Sequence, residues 1–406
     1  MMQRRPLLKG LLAGATVAIA GRRAGAQTPG VTATEIKIGC TTPLSGPASA
    51  YGMIAKTIAA YFNMLNDQGG IAGHKINFIY YDDGYSPPRT VEQTRKLVEE
   101  DGVDFLFQNL GTPCNTAIRP YCNQHKIPQL FVSTGADKWG DYKHFPYTVG
   151  FNPSYRTEAE IYAKYILKQK PDAKVALIYQ NDDFGKDYLN GLKQGFGDKF
   201  DKMVVKTATY EVTDPTIDSQ IVSLQGAGAD TLVTAAVPKF AAQAIRKVAD
   251  LGWKPLHIMT NVSVSVGAVL KPAGLDNSIG LITAGYVKDP TDKKWDDDPG
   301  MKEWRAFSAK YMPGADLADG NITYGYGAAF VMTDVLRQCG TDFSRENVLK
   351  QALSIKDLEV PVFYPGIKVA TSETNHQPIQ ELQLTRFNGH NFEPFGEVIR
   401  GSEASF

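Results

Sequence analysis

Glu35-Ile36-Lys37-Ile38-Gly39-Cys40-Thr41-Thr42-Pro43-Leu44-Ser45-Gly46-Pro47-Ala48-Ser49-Ala50-Tyr51-Gly52 decides how the chain is read. Ile36 to Cys40 is a short β-rich run closed by Pro and Gly, and Ala48 to Gln68 reads as the helix that follows. Beyond it, the runs Ile76 to Tyr81, Phe105 to Gln108 and Leu130 to Val132 alternate with helical stretches Arg89 to Glu100 and Asn115 to His125. Largely apolar strands that alternate with helices predict a parallel sheet covered on both faces.

After Val149-Gly150-Phe151-Asn152-Pro153 the pattern begins again. Helices Glu158 to Lys168, Tyr188 to Phe196, Ile217 to Leu224 and Phe240 to Leu251 interleave with strands Val175 to Tyr179, Met203 to Thr207, Thr231 to Ala235 and Leu256 to Met259. The chain returns through Leu281 to Tyr286 and a long helix, Tyr324 to Cys339, and ends on β-like stretches Val362 to Val369 and Gln380 to Phe387. The expected fold class is α/β, with two doubly wound parallel-sheet lobes joined by a hinge. The expected limits are 31–150 with 284–361 for the first lobe, and 151–283 with 362–406 for the second. Ligands of such sheets sit beyond the carboxyl ends of the strands, so two facing sets of ends would enclose a small molecule.

A chain of 406 residues is too long for one ordinary core. Its 43 basic and 43 acidic residues balance only because Arg4, Arg5, Lys9, Arg22 and Arg23 stand in an acid-free start. Without them, 38 basic face 43 acidic residues, which lacks the clustered positive charge of a nucleic-acid binder. Residues 1–26 join that basic start to the apolar run Leu11 to Ala20 and the triplet Ala24-Gly25-Ala26, the plan of a cleaved signal peptide. Arg4-Arg5 ahead of Leu7-Leu8-Lys9 resembles the twin-arginine export pattern, with an ordinary export signal as the alternative. No later segment reaches the length of a membrane span. Cys40, Cys114, Cys122 and Cys339 show no metal spacing, and buried thiols are expected. Neither the histidine spacing nor any phosphate-loop, GxSxG or HExxH motif suggests catalysis or a metal, so no cofactor is expected.

Three strand-end loops are rich in hydroxyls and glycine: Pro43 to Gly52 with Ser45, Asn109 to Pro113 with Thr112, and Val132 to Ala136 with Ser133 and Thr134. In a parallel sheet they converge, and helix N-termini beside them offer free N–H groups to an anion. Asp82-Asp83 and Asp182-Asp183 follow strands and are read as caps of turns or helices rather than catalytic pairs.

In order and spacing the chain resembles the leucine/isoleucine/valine-binding family of periplasmic receptors for ABC importers. The marks are Ile36 to Gly39, Leu44 to Pro47, Tyr51-Gly52, Gly69 to Gly73, Tyr81-Asp82-Asp83, Val175 to Tyr179 and Asp183-Phe184-Gly185-Lys186. The resemblance implies a type I periplasmic binding protein, without enzymatic activity, that serves a membrane permease and ATPase as a monomer. It also implies a ligand carboxylate held by Thr112, Ser133 and Gly135, with Thr134 adding a hydroxyl and Tyr51 walling the cleft. From the second lobe it implies Phe184, Val237 and Asn261. Asn261 falls where amino-acid receptors carry an acid for the ligand's ammonium, yet no Asp or Glu occurs between Asp250 and Asp276. A buried ammonium without a partner is costly, so an apolar or aromatic carboxylate lacking an amine is expected to bind above the matching amino acid. An extracytoplasmic sensor domain and an enzyme are the rival readings.

Overall fold

The computed structural model describes residues 28–400, and the expected signal segment 1–26 lies outside them. Five parallel strands form the first sheet: β1 (Glu35–Thr42), β2 (Lys75–Asp82), β3 (Phe105–Phe107), β4 (Gln129–Val132) and β5 (Thr148–Gly150), in the order β2-β1-β3-β4-β5. The second sheet holds β6 (Val175–Gln180), β7 (Val204–Tyr210), β8 (Thr231–Ala235), β9 (Leu256–Met259) and β10 (Ile282–Gly285). These five, all parallel, lie in the order β10-β9-β8-β6-β7. Numbered within each lobe, both arrays follow 2-1-3-4-5, so each has its switch point beside its first strand.

The second sheet is mixed rather than purely parallel. After the short pair β11 (Leu358–Glu359) and β12 (Lys368–Val369), the strands β13 (Glu381–Phe387) and β14 (Phe392–Arg400) extend it antiparallel from β10. Only a short turn separates β13 from β14, which forces an antiparallel hairpin. The expected stretch Val362 to Val369 is strand only at Lys368–Val369. Its start instead pairs with the crossing chain: Val287 bridges Phe363, and Lys288 N donates to the Val362 carbonyl at 2.8 Å.

Helices α1 (Gly52–Asp67), α2 (Pro87–Arg95), α3 (Thr112–Gln124), α4 (Tyr155–Gln169) and α5 (Asp183–Phe196) follow their strands as expected, displaced by a few residues. Two longer helices were not anticipated, Pro299–Tyr311 and Arg345–Ala352, nor were the short ones Phe200–Met203 and Lys271–Ala273. The first-lobe association of the returning chain extends past residue 361. Gly150 N donates to the His376 carbonyl and Gln377 Nε2 to the Asp137 carbonyl, before β13 joins the second sheet. All four cysteines are buried and free. Asp182 caps α5 by accepting from Gly185 N, and Asp82 accepts from the amides of Leu44, Ser45 and Gly84.

Candidate functional site

Between the lobes lies a cavity with about 150 Å³ open to the centres of water molecules. Its lining comes from the carboxyl ends of the strands: Tyr85 after β2, Thr112 after β3, Ser133 after β4 and Asn152 after β5. The second lobe supplies Phe184 after β6, Val237 after β8, Asn261 after β9 and Tyr286 after β10.

The first-lobe side is polar. Gly111 precedes α3 with φ of 96°, and a Cβ there would lie 2.5 Å from the Tyr85 ring, so both conformation and space call for glycine. No side chain caps α3; Pro113 has no N–H and Asn115 N bonds the Gly111 carbonyl, which leaves the Thr112 amide of this 13-residue helix at the cavity edge. The Thr112 hydroxyl lies 2.5 Å from that of Thr134, and the Ser133 hydroxyl 2.9 Å from that of Tyr324. Tyr324 OH in turn lies 2.8 Å from Asn152 Oδ1 and 3.1 Å from Gln108 Oε1. The cavity's lysine, Lys288, is engaged elsewhere, at 2.8 Å from both Asp298 Oδ2 and the Pro361 carbonyl. Fixed dipoles rather than a free cation therefore line this end.

The facing side is apolar and aromatic. Phe184 meets Tyr155 edge to face, with ring centroids 4.9 Å apart, and Val237 lies beside them in the wall. Behind Asn261 sits a carboxyl that comes from α4. Glu158 is fully buried; its Oε1 accepts from Asn261 N at 2.9 Å and Tyr162 OH at 2.5 Å, and its Oε2 from Asn261 Nδ2 at 2.5 Å. Burial pushes this carboxyl up to about 7, against the pull of those hydrogen bonds. The stretch between Asp250 and Asp276 is acid-free in sequence, but in space an acid stands directly behind Asn261.

Of the residues singled out from sequence, Tyr51, Thr112, Ser133, Phe184, Val237 and Asn261 line the cavity. Ser45 does not: it is exposed, and its hydroxyl donates to Asp82 Oδ2 at 2.6 Å. The amides of Leu44 and Ser45 are also taken by Asp82. Burial would raise that carboxyl, but hydrogen bonds from the Ser45 hydroxyl and the amides of Gly84, Leu44 and Ser45 hold it at about 2. This loop's anion site is thus filled by the protein's own carboxylate. Thr134 sits one layer back, holding Thr112 and lying 3.4 Å from the Trp139 indole nitrogen. Gly135 serves packing: a Cβ there would lie 2.2 Å from the Pro153 carbonyl.

Asn152, Tyr155, Tyr324 and Glu158 escaped the sequence reading. Asn152 and Tyr155 follow a strand end, the same signal that marked Thr112. Tyr324 and Glu158 lie within helices and carry no such signal.

The lobes are closed on one another. Asp137 N donates to Asp187 Oδ2 at 2.7 Å, Lys138 pairs with Asp183 at 2.8 Å, and Ser265 Oγ donates to Asp319 Oδ1 at 2.8 Å.

Comparison with known proteins agrees with this architecture. The chain is 24% identical over 344 residues to the Leu/Ile/Val-binding protein homolog 3 of Brucella melitensis, covering 81% of this chain and 86% of that protein. A branched chain amino acid ABC transporter protein from Thermus thermophilus with bound valine shares the fold at TM-score 0.81 and 18% identity, over 90% of this chain and 97% of that one. A solute binding protein from R. palustris in complex with 4-hydroxybenzoate does so at TM-score 0.75 and 19% identity, over 90% and 97%. The family model described as periplasmic binding protein matches residues 35–391, and the chain belongs to that family.

Proposed function

We propose that the protein holds a small carboxylate with an apolar or aromatic body between its lobes and delivers it to the permease of an ABC importer. The observation that carries this reading is one cavity whose first-lobe end joins the uncapped Thr112 amide at the start of α3 to the Thr112 and Ser133 hydroxyls, and whose other wall is Phe184 and Val237. Valine and 4-hydroxybenzoate, named for the two structural neighbours, are both small carboxylates, which supports the class. The protein is a ligand binder and not an enzyme, as its family is. Its work would be a population shift, since a ligand touching both lobes binds the closed state better and draws the open state toward it.

Among the described residues no helix is long and apolar enough to cross a membrane. The export signal read in residues 1–26 and the family match support a periplasmic protein whose partners are a permease and an ATPase. A thermal-shift screen of amino acids, aromatic acids and aliphatic acids tests the function, because a ligand bound only by the native state raises the melting temperature. At least one carboxylate class should stabilise the protein. Stabilisation by none of them would sink the reading.

A further inference from the structure

Asn261 both lines the cavity and bonds Glu158, and an amide side chain has one donor end and one acceptor end. While Glu158 Oε2 is unprotonated, Asn261 gives it the Nδ2–H and keeps Oδ1 for the cavity. Among the described residues no hydrogen bond reaches that Oδ1. Oε1 accepts from Asn261 N and Tyr162 OH and Oε2 from Asn261 Nδ2, with Tyr188 a further donor to the carboxyl. The protonated form that reaches the cavity is the one with its proton on Oε2, the oxygen that Asn261 Nδ2 faces. The protonated oxygen then needs an acceptor, and Asn261 supplies it only by turning over, which brings Nδ2 to the cavity instead.

We propose that Glu158, acting through Asn261, sets the polarity of the second-lobe end of the site, so that the protein selects carboxylates bearing a hydrogen-bond donor, an amino or hydroxyl group, and releases a proton on taking them up. This rests on the function proposed above and names the ligand chemistry within it. It makes Glu158 a positioning residue, since it acts on the ligand through Asn261.

The surroundings leave this carboxyl as the group that responds. Tyr162 faces it from its own helix, Tyr188 from α5, Tyr155 from the start of α4 and Tyr286 from beyond β10. Burial raises every one of these phenols above its ordinary value, so none ionises near neutrality. Among the described residues no lysine, arginine or histidine is hydrogen-bonded to Glu158. A donor-bearing ligand requires the unprotonated form. With the carboxyl held up to about 7, affinity should fall about ten-fold per pH unit below that value and level off above it. An ammonium gains the carboxylate's charge as well, whereas a hydroxyl gains only the hydrogen bond.

Isothermal titration at about pH 6 and about pH 8 tests this, in two buffers of different protonation heat. The probes are leucine, 2-hydroxy-4-methylpentanoate and 4-methylpentanoate, and 4-hydroxybenzoate with benzoate. A donor-bearing probe should bind about ten-fold tighter at the higher pH and release close to one proton at the lower. Its donor-free mate should change less than about two-fold. Glu158→Gln, which pins Asn261 with Nδ2 outward, should flatten the profile at the weaker affinity. Asn261→Leu should flatten it while leaving Glu158 in place, so loss of folding in one variant leaves the other to decide. Donor-bearing probes that bind without pH dependence or proton release, or a wild-type slope in both variants, would overturn the proposal and leave the proposed function standing. Absence of binding by every carboxylate would overturn both.

Discussion

The Tyr51 hydroxyl of the first lobe lies 3.1 Å from the Ser263 hydroxyl of the second, so a hydrogen bond joins the lobes beside the cavity. Tyr51 is 6% exposed, and its ring also forms part of the cavity wall. Replacing it with Phe keeps the ring and removes only the bond. A net hydrogen bond is worth about 0.5–1.5 kcal/mol, so Tyr51→Phe should weaken ligand binding roughly two- to ten-fold by favouring the open state. Calorimetry gives the affinity, and small-angle scattering of the apo protein should show a larger radius. Equal affinity and equal radius would show that the bond takes no part in closure.

The carboxylate end predicts a larger effect. Hydrogen bonds to charged groups are worth about 1.5–3 kcal/mol, so Thr112→Ala and Ser133→Ala should each lower carboxylate affinity about ten-fold or more. Ser133→Ala also frees Tyr324 OH from one partner, whereas Thr112→Ala leaves Thr134 without its short contact. Unchanged affinity in both variants would leave backbone groups, the Thr112 amide among them, as the whole of the clamp.

Asp104 predicts a pH dependence of stability remote from the cavity. It is fully buried, and neither carboxyl oxygen has a hydrogen-bond partner. Arg345 comes within 3.8 Å but gives its hydrogen bonds to the Val103 and Asp104 carbonyls. Burial pushes the carboxyl up to about 8, more than the nearby guanidinium can offset. The folded value lies above the unfolded one of about 3.9, so the folded state holds the proton more tightly and loses stability as pH rises from about 4 to about 8. Asp104→Asn should flatten melting temperature against pH across that window and melt higher at its upper end. A variant that keeps the wild-type slope would clear Asp104 of the effect.

Export offers a fourth test. Changing Arg4 and Arg5 together to Lys should block processing if the twin-arginine route is used. A processed periplasmic product in normal amount would point to the general secretion route.

The βα framework was legible because β1, β3, β4, β6 and β8 are almost wholly buried and read as short apolar runs. β14 was not, since most of its residues are exposed or half-buried and it lacks a clean alternation. β5 has only three residues, too few to carry a pattern. Cavity residues directly after strands, such as Thr112 and Phe184, could be found because topology alone brings strand ends together. Ser45 looked equivalent, and only the reach of Asp82 into its loop removed it. Glu158 lies 103 residues from Asn261 and faces it because α4 packs against β10 and its Tyr162 bonds the Met259 carbonyl at the end of β9, a relationship that local sequence does not record.

The placement of the helix Gly320–Gln338 bears on how this chain is made. That helix packs along α1, with Gly325 against the Ile54 carbonyl and the Thr57 side chain, so the first lobe's core is completed by residues some 270 positions downstream. During synthesis the second lobe's five parallel strands, residues 175–285, leave the ribosome complete while the first lobe still lacks this cover. Contacts of such long sequence separation form slowly. The nascent first lobe therefore exposes the apolar face of α1 until late in translation, and pulse-labelled hydrogen exchange should find α1 amides protected no earlier than those of 320–338. A transport route that accepts only finished folds would have to wait for the same event.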